Sequence, residues 1–253
     1  KLVSNIEKLK PFFEKVSRNR YLRAIRDGFI SAMPIVLFSS IFMLLAYVPN
    51  IFGFYWSKEI EAMILKPYNY SMGILALVVA GTTAKNLADN FNRDMPVNRQ
   101  INNISALMAA IVGFLIVGVD SIEGGFANGY MGSKGLLTAF LVAFVVCNVY
   151  RFCVKRNVTI KMPDAVPPNI SQTFADVIPF AVSAIIFTIF DIIFRNVTGI
   201  CFAQGVIEFF NHYLLQQMGI SGWLLFMGQC HYSGLWEFKV HQSWNRQFRQ
   251  SIM

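Results

Sequence analysis

Few side chains in this sequence could do chemistry, and the most exposed to argument is Asp191, set inside the apolar run "VIPFAVSAIIFTIFDIIF". A carboxylate at the centre of a bilayer costs roughly 2.5–3.5 kcal/mol to insert, so it turns toward protein or water and often relays protons or ions. Arg195 follows four residues later, and an ion pair along one helix face is the plainer reading of the same spacing. Asp27 stands just before another apolar run, beside Arg23 and Arg26, where a solvated pair is expected. The three histidines, His212, His231 and His241, show no metal-ligand spacing. Cys230 and His231 with His241 could be drawn as zinc ligands, but one Cys and two His in an aperiodic string do not make a tetrahedral site. No metal is expected. The cysteines Cys147, Cys153, Cys201 and Cys230 form neither a CxxC pair nor a regular framework, and read as free thiols facing the interior or lipid. No Gly-rich phosphate loop, Walker lysine or nucleophile elbow occurs, so no cofactor is expected.

The elements that must carry these residues are set by composition. Of the 253 residues 55% are hydrophobic and 14% charged, against about 25% charged in a soluble domain. Mean hydropathy is +0.48. The apolar residues fall in blocks, as in an integral membrane protein. Five stretches can span a bilayer: Gly28 to about Ile51, Tyr70 to Thr83 with the polar turns after it, Ile101 to Val119, Leu136 to Phe152, and Val177 to Phe194. A sixth begins at Gly219 and fails. The lysine-rich start, with no early apolar run, gives no expectation of a cleavable signal peptide.

Net charge is +8, which suits an anionic membrane or a nucleic acid, and position decides between them. Segments 1–27, 84–100 and 150–176 hold fifteen Lys and Arg together, whereas 49–70, 119–135 and 195–218 hold four. That asymmetry places the N-terminus in the cytoplasm, assigns the basic charge to the lipid surface and excludes nucleic acid as a partner.

Two segments read as interfacial helices rather than spans. Leu2, Ile6, Leu9, Phe13 and Val16 repeat at helical spacing, with a kink expected at Pro11. Phe202, Val206, Phe209 and Tyr213 form a similar stripe. Between the fourth and fifth spans, "NVTIKM" alternates as a short strand does. Pro163, Pro167 and Pro168 then interrupt any helix and stiffen an extended turn, and a helix is expected to start near Ser171.

Three blocks, "NRYLRAIRDGFISAMPIVLFSSIFMLLAYVPN", "KPYNYSMGILALVVAGTTAKNLADNFN" and "KRNVTIKMPDAVPPNISQTFADVIPF", resemble the membrane component, enzyme IIC, of phosphoenolpyruvate-dependent sugar phosphotransferase systems. The resemblance is to the lactose/cellobiose family, nearest its lactose-specific members, and runs from residue 1 to about 225. Its signature loop is carried here by Pro163, Pro167, Pro168, Asn169 and Pro179. The resemblance implies an all-α polytopic membrane protein, here the N-terminal half of the enzyme IIC fold: five transmembrane helices, interfacial helices and an aborted sixth. It implies a homodimer joined through the N-terminal spans, which carries lactose or a related β-disaccharide across the bilayer. It further implies IIA and IIB components as partners, with phosphoryl transfer from a IIB cysteine. The family's sugar contacts lie mainly in its second half, in a "GIHG" region and an "NEP" hairpin, and neither motif can be read in this sequence. Residues 1–227 therefore resemble the scaffold and dimerisation part, expected to transport little alone. The other reading is a non-transporting module that pairs with an intact permease and modulates it.

Residues 228–253, ending "WEFKVHQSWNRQFRQSIM", have no clear period. Read one base earlier with allowed codons, Trp236 to Met253 yield "LGIQGPSIVEPAISAI", close to the family's "GIHGPSIVEPAI". Lys239 forces Gln where the family has His. The segment is expected to be the sixth span and its sequel out of frame.

Overall fold

The structure, a computed structural model, describes residues 19–96, 99–160, 163 and 167–217. Seven helices carry it: α1 (Arg20–Ile51), α2 (Lys58–Met72), α3 (Leu75–Asn92), α4 (Asn103–Gly118), α5 (Leu136–Arg156), α6 (Pro168–Thr198) and α7 (Phe202–Gln217). Among the described residues four stretches are long and apolar enough to cross a membrane: Arg20–Ile51, Lys58–Asn92, Ser133–Arg156 and Ile170–Thr198. The apolar α4 is shorter, and its 16 residues reach about 24 Å.

Why α1 packs as it does is visible in its sequence. Its buried residues are Ala24, Gly28, Ala32, Ser39 and Ala46, all small, and the first three repeat every four residues. Helices in lipid gain little from burying one apolar surface against another, so association rests on close backbone approach, which small residues permit. At Gly28 the approach is tightest: a Cβ there would lie 2.9 Å from the Thr83 Cα and run into the Thr83 hydroxyl. Thr82 Oγ1 donates to the Gly28 carbonyl (3.1 Å), and Asn86 Nδ2 to Ser31 Oγ (3.3 Å), so polar bonds add to the seam. The large residues of α1, among them Ile30, Met33, Leu37 and Leu44, point outward and are exposed.

Most of α3 is buried, which makes it the central helix. Around it gather Phe114 and Val117 of α4 and Val142, Val146 and Tyr150 of α5, while Phe187 of α6 joins the same core against Gly113 of α4. The span expected over Tyr70–Thr83 is instead a broken helix. α2 ends at Met72, Gly73 and Ile74 interrupt, and α3 runs on to Asn92. Ser71 Oγ turns back to the Pro67 carbonyl and meets Ser39 Oγ, both at 2.6 Å, while the free Ala76 N–H at the start of α3 donates to the Met131 carbonyl (2.8 Å). Residues 58–69, read from sequence as lying between the first two spans, are thus helical, started by Ser57, whose hydroxyl accepts from the Ile60 N–H.

Loops are pinned by asparagines. Asn92 brackets Ile101, donating to its carbonyl (2.8 Å) and accepting from its N–H (2.7 Å), and Asn102 caps α4 by accepting from the N–H groups of Ile104 and Ser105. After α4 a two-pair β-hairpin forms from β1 (Ser121–Ile122) and β2 (Gly125–Phe126). The strand expected over "NVTIKM" does not form in residues 157–160. Asn157 takes left-handed geometry (φ 53°) and closes α5, with the Val158 N–H reaching the Cys153 carbonyl, so the C-cap overrides the β-prone alternation. Residues 161 and 162 lie outside the described residues. The helix expected near Ser171 begins three residues earlier, because Pro168 occupies the first helical position, where its missing N–H costs nothing.

The described residues up to Val206 form one compact unit. Of the second, Ile207–Met253, the described part is the end of α7. The Phe202 end of the expected stripe is helical and packs edge-on against Phe190 and Phe194 of α6. The Leu2–Val16 helix, the Tyr213 side chain and the tail 228–253 lie outside the described residues.

Candidate functional site

Asp191 is compensated along its own helix. Arg195 Nε donates to Asp191 Oδ2 at 2.8 Å, the four-residue pair that the spacing suggests. The same guanidinium bonds Asp120 and donates from Nη2 to the Val119 carbonyl at 3.1 Å. One arginine therefore ties the last turns of α6 to the close of α4. Asp191 Oδ1 is buried with no hydrogen-bond partner among the described residues, so the site keeps one free acceptor in a largely desolvated place. The arrangement clamps two helix ends.

At the opposite end of the bundle α6 is held by amides. Asn102 Nδ2 donates to Asp176 Oδ2 (2.6 Å) and Gln172 Nε2 to Asp176 Oδ1 (3.0 Å). Nearby, Asn103 Nδ2 donates to Asp89 Oδ1 (2.8 Å), and Ser105 and Tyr150 share a hydroxyl–hydroxyl bond of 2.8 Å. Sequence reading missed this cluster, because its partners lie up to 74 residues apart. Asp27 pairs with Arg26, whose Nε and Nη2 both reach Oδ1, while Arg20 pairs with Asp94.

The loop residues do not converge on Asp191. Pro163 and Pro167 are exposed, Pro168 opens α6 and Asn169 follows it in the helix. Pro179 lies within α6, fully buried, and its carbonyl accepts from Ser183 Oγ (2.8 Å). From Pro168 to Asp191 the helix advances about 35 Å, the thickness of a bilayer. These residues mark the two ends of one helix rather than one site.

Among the described residues no group of three or more His, Cys, Asp or Glu is placed to hold a metal. His212 is in α7 with its side chain outside the described set, and Cys230, His231 and His241 lie outside it altogether. Cys147, Cys153 and Cys201 are buried and free. Cys147 Sγ donates to the Ala84 carbonyl (3.0 Å), and burial pushes the Cys201 thiol, in the α6–α7 link, above the ordinary thiol range.

Comparison with known proteins places this scaffold. The chain is 55% identical over 242 residues to the "PTS system lactose-specific EIICB component" of Staphylococcus aureus (strain COL), covering 95% of this chain and 42% of that protein. It is 60% identical over 206 residues to the protein of the same description from Streptococcus mutans serotype c, covering 81% of this chain and 36% of that one. The chain thus spans about two-fifths of the length of these relatives. Among solved structures it resembles the transporter ChbC, the IIC component from the N,N'-diacetylchitobiose-specific phosphotransferase system, at a TM-score of 0.66 and 24% identity, over 85% of this chain and 51% of that one. That likeness confirms the expected all-α polytopic membrane fold. The family described as "Phosphotransferase system, EIIC" matches residues 26–253, and the chain belongs to it.

Proposed function

We propose that this chain supplies the scaffold half of a permease that imports lactose, or a related β-disaccharide such as cellobiose, with coupled phosphorylation. The observation that carries this reading is the 55–60% identity to two lactose-specific relatives across most of the chain. The α3-centred bundle offers helix clamps at both ends and no converging sugar-binding set among the described residues, which suits a supporting role. Sugar contacts then come from the family's second half, phosphoryl groups from IIA and IIB partners, and homodimer contacts from the exposed large residues of α1. The N-terminus lies in the cytoplasm, as the basic residues at the Arg20 end favour. Residues 228–253 are an out-of-frame reading of the sixth span.

The test is lactose uptake into vesicles, energised by phosphoenolpyruvate and the soluble phosphotransferase components. This chain alone should give background uptake, and co-expression with the second half of a lactose-specific relative should raise it. Full uptake by the chain alone sinks the scaffold assignment. No uptake in either case, with both halves folded in the membrane, sinks the lactose assignment. Sequencing the coding DNA across codons 220 to 260 tests the tail: a reading frame one base away that cannot encode "GPSIVEPAI" removes that part of the proposal.

A further inference from the structure

A groove of about 470 Å³ lies between α2 and the connection that joins α4 to α5, lined by Ala62, Met63, Lys66, Asn69, Tyr70 and Asn128. Its lining holds one cation, two amides, one phenol and no carboxylate. Lys66 makes no ion pair with any described residue. The acids of α2, Glu59 and Glu61, stand in its first turn, where they favour the helix N-terminus instead. The groove therefore has an uncommitted positive charge and a ring of hydrogen-bond donors.

Its depth limits what can fill it. Asn128 belongs to the connection 119–135, which also holds Asp120, Glu123 and Lys134 and so stands beyond the apolar ends of α4 and α5. Headgroups occupy the layer immediately outside the hydrocarbon core. On the apolar side, Met63 is 75% exposed and Tyr70 69% exposed, and both flank the lysine along one face of α2. Tyrosine is at home at this boundary, with its ring toward the chains and its hydroxyl toward the headgroups.

We propose that this groove is a binding site for a phosphodiester anion, and specifically for the headgroup of an anionic phospholipid. Lys66 meets the phosphate charge, Asn69 and Asn128 donate to its oxygens or to the glycerol, and Met63 and Tyr70 cover the first carbons of the acyl chains. The assignment depends on the membrane-spanning fold and is independent of which sugar the permease carries.

The experiment uses the full chain in a neutral detergent, titrated with dihexanoyl phosphatidylglycerol and followed by native mass spectrometry. Dihexanoyl phosphatidylcholine and inorganic phosphate serve as comparison probes at matched ionic strength. The expected result is saturable one-to-one binding of phosphatidylglycerol, stronger than phosphatidylcholine, and weakened about fivefold in Lys66→Gln, the loss of one lysine at an anionic surface. Equal binding of the two lipids, or unchanged binding in Lys66→Gln, overturns the proposal. Displacement by inorganic phosphate at concentrations as low as those of the lipid overturns the lipid assignment in favour of a free-anion site. Asn128→Ala, in a different segment, should also weaken phosphatidylglycerol, and it decides the matter if Lys66→Gln does not fold.

Discussion

Arg195 shows how one side chain can answer a charge set inside an apolar run. The Asp191–Arg195 pair was legible, because four residues make one helical turn, whereas Asp120 was not, because it lies 75 residues from its partner. Arg195→Ala should leave Asp191 buried without a counter-charge and lower stability by about 1–2 kcal/mol, a value discounted for the 34% exposure of the arginine. Thermal unfolding in detergent would measure it. The double variant Arg195→Ala, Asp191→Ala should recover part of the loss, and strictly additive effects would contradict the clamp. Cys201 gives a second expectation at this scale. Because burial raises its pKa, the thiol stays protonated at pH 8, so a variant retaining only Cys201 should react with a water-soluble maleimide more slowly than a free cysteine. The rate should climb with pH through the raised value, and denaturation in dodecyl sulfate should remove the difference.

Among the elements, α1 tests the small-residue seam. Gly28→Leu cannot fit without moving the Thr83 backbone, so it should undock α1 from α3 and cost about 1–3 kcal/mol, seen as a lower melting temperature and new protease cleavage within residues 52–57. Gly113→Ala should cost less than Gly28→Leu, because it adds a single methyl group and meets the ring of the buried Phe187 (2.7 Å) rather than backbone. Reversal of that order would show that the α4–α6 contact, rather than α1–α3, is the tighter one. The elements also show where sequence patterns end. The long apolar runs gave α1, α5 and α6 to within a few turns, since hydrophobic length is their physical cause. The helix α2 escaped because Pro67 and its mixed charges resemble a loop, and its fold depends on packing along α1. The hairpin Ser121–Phe126 escaped because two residue pairs are too few to set a period.

For the whole molecule, the order of helix ends makes a topological prediction. Arg20 with Asp94, and Arg151 stacked 4.6 Å over Phe91, gather at one end, while Asp120 with Arg195 marks the other. In oriented cells, a single cysteine in place of Glu123 should be labelled from outside by an impermeant maleimide, and one in place of Arg156 only after permeabilisation. The opposite pattern would invert the positive-inside assignment. The lysine and arginine counts supply that expectation, whereas the contacts that align the ends leave no local pattern, because each joins segments far apart in the chain.

The small-residue face of α1 has a consequence for synthesis. Its binding surface is made for α3, yet α3 is completed only about 40 residues after α1 ends. At translation rates of roughly 5–20 residues per second, α1 spends a few seconds without that partner. A helix with bulky side chains on every face, or with polar ones on the waiting face, would seek other company in that interval. Alanine and glycine present a shallow surface that lipid chains can cover and later leave, so α1 can stand in the bilayer alone and still close on α3 when it arrives.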